Sequence, residues 1–382
     1  MMKKLILTAA AAIVAISQAF AQNLVEGKIE GVTPQGSYTP SFKYDGEQKA
    51  PLNIILMIGD GTGLAQIASG YYANGGTLTV MNLRTMGLVT TCSASHFTTD
   101  SAASGTAYAT GHKTHNHAVG VDVNDKTLPN IPEILAPVGI VSGIVSTDDL
   151  HGATPASFFA HQPHRKMTDE IWADLPSSKL AFFAAGSEEK FAERPAGTQE
   201  AIRKEFTIVS SLDSGLTKGA ARVGYLPPKS ETQSMKYGRG DFLPASTKFA
   251  IDFLMNHRTG RKKGFFLMVE GARIDKSCHK NDFPSAVKEM LDFDKAIEAA
   301  IRFAEKDGNT LVLISADHET GGLSLNRNGV PEEGTVEGRF VTRGHTPIPV
   351  PIFAYGPHSQ DFMGVQGNDE VARKIIKLLR GK

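Results

Sequence analysis

The sequence predicts an α/β protein, a mostly parallel central sheet flanked by helices on both faces. Two observations carry that expectation: several apolar runs lack any polar alternation, and stretches with helical periodicity separate them. A strand that is apolar at every position needs cover on both faces, and a helix between two such strands returns the chain to the same sheet edge, which makes the strands parallel.

Along the chain, Lys3 and Lys4 precede an apolar run from Leu5 to Phe20 that ends in Ala19-Phe20-Ala21. This is the pattern of a signal peptide over residues 1–21, with the mature chain starting at Gln22 and a periplasmic or secreted destination. Interrupted by Ser17 and Gln18, the run falls short of the ~20 residues that a membrane span needs. Residues 22–50 are polar, rich in Gly and Pro and without period, and read as an N-terminal arm before a catalytic domain at 51–382.

Within that domain the strand candidates share one design. Asn53–Ile58 leads into Gly59-Asp60, Ile140–Ser146 into Thr147-Asp148, Phe265–Val269 into Glu270, Leu311–Ser315 into Ala316-Asp317-His318, and Val350–Tyr355 into Gly356-Pro357. The clearest helix is Ser285–Lys306, with an apolar stripe through Val287, Leu291, Ile297 and Ile301. Residues 176–245 mix short apolar patches with Gly, Pro and charge and read as a peripheral insertion.

Lys and Arg total 40 and Asp and Glu total 40, so no broad field favours nucleic acid or an anionic membrane as partner. Cys92 and Cys278 are expected as buried free thiols, with a disulfide as the alternative that export allows.

Candidate chemistry follows the strand ends, where open parallel sheets bind ligands. Asp60, Glu270 and Asp317 each stand just past a strand. Asp275 and His279 are four apart, on one face if helical; His318 adjoins Asp317, and His345 sits in a loop before the last strand. Carboxylate with imidazole suits an open zinc site, and all-oxygen sets suit magnesium. Asp100-Ser101-Ala102-Ala103-Ser104 could open a helix, whose N-terminal N–H groups would hold an anion beside a nucleophilic Ser101; an ordinary N-cap is the plainer reading of the same string.

Taken together, Gly59-Asp60-Gly61, Asp100-Ser101-Ala102-Ala103-Ser104, Ala153-Thr154-Pro155-Ala156 followed by His161 and Arg165, Glu270-Gly271-Ala272-Arg273-Ile274-Asp275-Lys276 with His279, Asp317-His318-Glu319-Thr320-Gly321-Gly322, and Gly344-His345 resemble, in the same order, the motifs of alkaline phosphatases. The resemblance implies two zinc ions and one magnesium ion. Position by position, Asp275, His279 and His345 would hold one zinc, Asp60, Asp317 and His318 with Ser101 the other, and Asp60, Thr154 and Glu270 the magnesium. Arg165 would clamp two phosphate oxygens, and Lys276 would reach phosphate through water. It further implies small phosphomonoester substrates, a phosphoserine on Ser101, an alkaline optimum and a homodimer, with a short His318–His345 span in place of a large surface subdomain.

Gly152 departs from the pattern, since relatives usually carry Asp or His two residues before the threonine, and His151 could substitute only through a different loop. His112, His115 and His117 read as a surface turn, His161 as a packing residue, and Trp172, Phe182 and Phe183 as core. A phosphodiesterase, a sulfatase and a non-catalytic phosphate scavenger are the competing readings.

Overall fold

The computed structural model describes residues 25–325 and 335–381; the expected signal peptide and its cleavage site lie outside them. Fifteen strands occur among these residues: β1 (Val25–Ile29), β2 (Asn53–Gly59), β3 (Thr85–Thr90), β4 (Val141–Ser146), β5 (Leu180–Ala184), β6 (Thr207–Val209), β7 (Val223–Tyr225), β8 (Phe265–Gly271), β9 (Thr310–Ser315), β10 (Glu319–Thr320), β11 (Ser324–Leu325), β12 (Val336–Phe340), β13 (His345–Thr346), β14 (Val350–Tyr355) and β15 (Gly364–Gly367). Ten of them form the central sheet in the order β15-β3-β14-β9-β2-β8-β4-β5-β7-β6. Only β14 runs against its neighbours β3 and β9, so the sheet is mostly parallel, as expected.

The reason for the unbroken apolar runs is visible in β2, which is buried at every position. Ile55 and Met57 pack into one layer with the helices Leu64–Ala73, Phe242–Asn256 and Phe283–Asp307. Ile54, Leu56 and Ile58 pack into the other, with Ser101–Thr110 and Asn368–Arg380. Trp172, Phe182 and Phe183 are fully buried core. The long helix starts two residues before the predicted stripe because Asp282 caps it, accepting from Ser285 N at 3.2 Å, with Pro284 in its first turn; Gly308 at φ 68° ends it.

The structure adds to two expectations and corrects a third. The N-terminal arm contains β1, paired antiparallel with β12 from Val25↔Phe340 to Ile29↔Val336, a partner more than 300 residues away that no local pattern announces. Residues 176–245 supply β5, β6 and β7, which finish one edge of the central sheet. Arg239 then pins the segment to the long helix, its buried guanidinium meeting Glu289 at 2.7 Å and Asp292 at 2.6 Å. Of the two free thiols, Cys278 is buried but Cys92 is exposed.

Register lines up the carboxyl ends of the middle strands. Ile58 of β2 pairs with Glu270 of β8 and with Ser315 of β9, while Ser146 of β4 also pairs with Glu270. Asp60, Glu270, Thr147 and Asp317 therefore emerge along one rim. No helix among the described residues is long and apolar enough to cross a membrane.

Candidate active site

Ser101 is the first residue of its helix, and Asp100 is the N-cap. Asp100 Oδ1 accepts from Ala103 N at 3.0 Å and from His117 N at 3.0 Å, which fixes the helix entrance and bears out the plain capping reading. Asp100 Oδ2 accepts from Arg165 Nη1 at 3.1 Å, so the same carboxylate holds the arginine beside the entrance of the Ser101–Thr110 helix. Burial opposes ionisation of Asp100, yet the His117 backbone N–H and the Arg165 charge hold its pKa below the usual range.

Four loops bring the remaining residues to Ser101. Ser101 Oγ is 3.2 Å from His318 Nε2, which in turn lies 3.1 Å from Asp317 Oδ2 and 3.5 Å from Asp60 Oδ1. Asp317 Oδ1 is held by Gly61 N at 3.0 Å and by its neighbour's N–H, from His318, at 2.9 Å. Gly61 has φ 72°, and a Cβ there would stand 2.8 Å from the Asp275 backbone. Only glycine lets the Asp60 loop press against the Asp275 helix. Asp275 and His279 lie at consecutive turns, 3.3 Å apart between Oδ2 and Nε2, and His345 Nε2 stands 3.7 Å from Asp275 Oδ1.

The histidines reveal their tautomers. His345 Nδ1 meets the Thr99 carbonyl at 2.9 Å and His279 Nδ1 meets the Arg343 carbonyl, and a carbonyl can only accept. Thr320 Oγ1 spends its hydrogen on Asp275 Oδ1 at 2.5 Å, so the His318 Nδ1 that it meets at 3.2 Å is the donor. All three Nε2 atoms point into the cluster; in His318 burial opposes a charged ring, but the Asp317 carboxylate beside Nε2 raises its pKa. His345 is pushed down to about 4, by burial first and by His318 next, which keeps its ring neutral.

Nitrogens gathered in this way suit a cation, and the orphaned oxygens agree. Asp60 Oδ1, Asp317 Oδ2 and Thr154 Oγ1 are buried with no hydrogen-bond partner among the described residues. Two groups have geometry for a metal: Asp275 with His279 and His345, and Asp60 with Asp275 and His318. Burial and then the Asp317 charge push Asp60 well above its usual value; Glu270 is driven up to about 8 by burial and then by Asp148. Carboxylates crowded this closely favour bound positive charge. The residues present therefore fit metal ions of both chemistries, imidazole with carboxylate on one side and oxygen alone at Thr154, Glu270 and Asp60.

Lys276 is half-buried and paired with Asp148, rather than standing free in solvent. His151 accepts from Trp172 Nε1 at 3.2 Å, engaged with the core. His161 bridges the Gly120 carbonyl at 2.8 Å and Glu133 at 3.1 Å, a packing role. His112, His115 and His117 lie on a surface turn, and His117 stacks on His164 while touching Asp100. Sequence reasoning missed the second duty of Asp100, the bridge through Thr320, and Asp148, although Asp148 follows a strand as the recognised acids do. A cleft of about 490 Å³ lined by Asp148, Gly152, Arg165 and Lys276 opens beside the cluster.

Comparison with known proteins agrees with this geometry. The alkaline phosphatase family model matches residues 52–184 and 242–338. Alkaline phosphatase 4 of Bacillus subtilis (strain 168) is 32% identical, over 86% of this chain and 88% of its own. Alkaline phosphatase of Escherichia coli (strain K12) is 30% identical, covering 86% of both chains. Among solved structures, the alkaline phosphatase of the Antarctic bacterium TAB5 superposes with TM-score 0.81 at 38% identity, over 87% of this chain and 100% of that one. A histidine-to-glutamate mutant of the TAB5 protein, also at TM-score 0.81 and 38% identity over 87% of this chain and 99% of that one, has Mg bound in its M3 site. On the family match, the shared fold and the convergence of the site residues, this chain belongs to the alkaline phosphatase family and is an enzyme of it.

Proposed function

We propose that this enzyme hydrolyses phosphate monoesters to alcohol and inorganic phosphate through a phosphoserine on Ser101, with two zinc ions and one magnesium ion. The observation that carries the reading is the set of three inward Nε2 atoms around buried, unpartnered carboxylate oxygens, with Ser101 Oγ 3.2 Å from that of His318. Asp275, His279 and His345 would hold one zinc; Asp60, Asp317 and His318 with Ser101 the other; Asp60, Thr154 and Glu270 the magnesium. Bound there, the ions supply charge that lowers the nucleophile's pKa and stabilises the entering and leaving oxygens of an in-line displacement.

Ser101 Oγ bonds to phosphorus as the ester P–O bond breaks and the alcohol leaves. Water then attacks phosphorus from the opposite side and releases phosphate from Ser101. Two inversions give net retention. Arg165, held by Asp100, presents a planar fork to two non-bridging oxygens, and a monoester terminus carries two negative charges there where a diester carries one. Lys276 adds positive charge from the cleft side.

The single catalytic domain spans residues 51–382, and the basic-then-apolar leader supports export to the periplasm or beyond. Homodimerisation and an alkaline optimum rest on the family resemblance alone. The test compares turnover of a monoester, a diester and a sulfate that share one aryl leaving group, with the protein first stripped and then given zinc and magnesium. Metal-dependent monoester turnover far above the other two is expected; preference for the diester or sulfate, or no turnover in the metal-loaded protein, overturns the reading.

A further inference from the structure

Asp148 sits on the same rim as the acids already described, one residue beyond the Thr147 that follows β4, and the family pattern gives it no role. Its Oδ1 pairs with Lys276 Nζ and accepts from Asp149 N at 2.8 Å. Oδ2 is turned toward Gly152: a Cβ built on that glycine would lie 2.6 Å from Oδ2 and 2.9 Å from Cγ. Gly152 has φ −52°, which any residue adopts, so its missing side chain answers no demand of the backbone. What the missing Cβ provides is room for the Asp148 carboxylate.

Two short paths tie that carboxylate to the oxygen site. Gly152 caps the Ala153–Ala156 turn that carries Thr154, whose Oγ1 is buried and unpartnered. Ser146 Oγ accepts from Asp148 N at 2.9 Å and donates to Glu270 Oε2, so one hydroxyl spans the two acids. Asp148 also lines one cleft with Gly152, Arg165 and Lys276, beside the residue proposed to clamp phosphate.

Resting on the proposed metal assignment, we propose that Asp148 is the positioning carboxylate of the magnesium site: it occupies the space beside Gly152, orients magnesium-bound water toward Thr154 and Glu270, and holds Lys276 on the phosphate side. Magnesium dehydrates reluctantly and takes few direct carboxylates, so acids just outside its ligands set its affinity by orienting the waters it keeps. The site residue that Gly152 lacks is thus supplied from four positions earlier in the chain.

The test is titration calorimetry of magnesium chloride into the zinc-loaded protein, for the parent, Asp148→Asn and Asp148→Ala, with zinc content and melting temperature measured on the same samples. The expected result is a magnesium Kd raised about 10- to 100-fold in both variants, with zinc content unchanged. A Kd within threefold of the parent in either folded variant overturns the proposal, as does a zinc-loaded parent that binds no magnesium. Loss of the fold in the isosteric Asn variant also overturns it, because Asp148 would then be a structural anchor. Calorimetry reads binding without turnover, so failure of the phosphatase reading, seen as absent ester hydrolysis, is a separate result.

Discussion

His279 Nε2 and His345 Nε2 face each other at 3.1 Å, and each ring turns its Nδ1 to a backbone carbonyl. With both rings neutral, the two Nε2 lone pairs and the nearby Asp275 carboxylate suit a shared cation. Removing either ring should therefore cost metal before it costs fold. His279→Ala and His345→Ala should each weaken the first zinc by more than the ~100-fold typical of losing an outer partner. Elemental analysis after dialysis checks this, and two full zinc equivalents in either variant would count against the assignment.

Metal removal should also destabilise. A ligand present at a thousand times its Kd stabilises the folded state by about 4 kcal/mol. Chelation should accordingly lower the melting temperature by several degrees and abolish turnover, with zinc restoring both. Calorimetric scans before and after chelation decide it, and an unchanged transition would mean that the cluster holds no tightly bound ion.

Asp100 performs two tasks that substitution can separate. Asp100→Ala removes both the helix cap, worth about 1 kcal/mol, and the partner of Arg165. Asp100→Asn keeps an acceptor for Ala103 N while losing the charge. In both variants a less constrained Arg165 should weaken substrate and product alike, raising KM and the phosphate inhibition constant together by roughly tenfold, the cost of one charge-assisted hydrogen bond. Steady-state kinetics with phosphate as inhibitor checks this; a rise in one constant without the other would separate Arg165 from phosphate.

Far from the site, Arg239 is clamped between Glu289 and Asp292 in a nearly dry setting. Arg239→Ala leaves two uncompensated acids and should cost about 3–5 kcal/mol, read by urea unfolding. Asp292 is pushed up to about 6 by burial, against the pull of Arg239. Its folded pKa exceeds the ordinary 3.8, so the folded state binds the extra proton between those values. That contribution is full below 3.8 and is lost as pH rises through about 6. In chelated protein, the stability of the parent relative to Asp292→Asn should grow as pH falls from about 6 toward about 4; a flat difference would show that Asp292 does not titrate there.

The central strands were legible because burial on both faces leaves an unbroken apolar run, as in β2, β8 and β9, and the acids at their ends were legible as a consequence. β1 was not, since its pairing with β12 depends on residues 300 positions away and β1 itself is half polar. β6 and β7 escaped because each is only three residues long, too short to display a period, whereas β5, Leu180–Ala184, is an unbroken apolar run hidden among Gly, Pro and charge. The ligand residues announced themselves by type and motif, whereas the Asp148–Lys276 pair spans 128 positions and appears only when the β4 and β8 ends meet. Cys92 illustrates the limit of composition: nothing around it in the sequence distinguishes an exposed thiol from a buried one.

The most direct test of the central claim is to mix the metal-loaded enzyme with an aryl phosphate, quench in acid and locate phosphate on the peptides by mass spectrometry. The account predicts a phosphoryl group on the peptide bearing Ser101, absent in Ser101→Ala, whose kcat should fall at least ~10³-fold. Full turnover in Ser101→Ala, or a phosphoryl group trapped on any other residue, would contradict it.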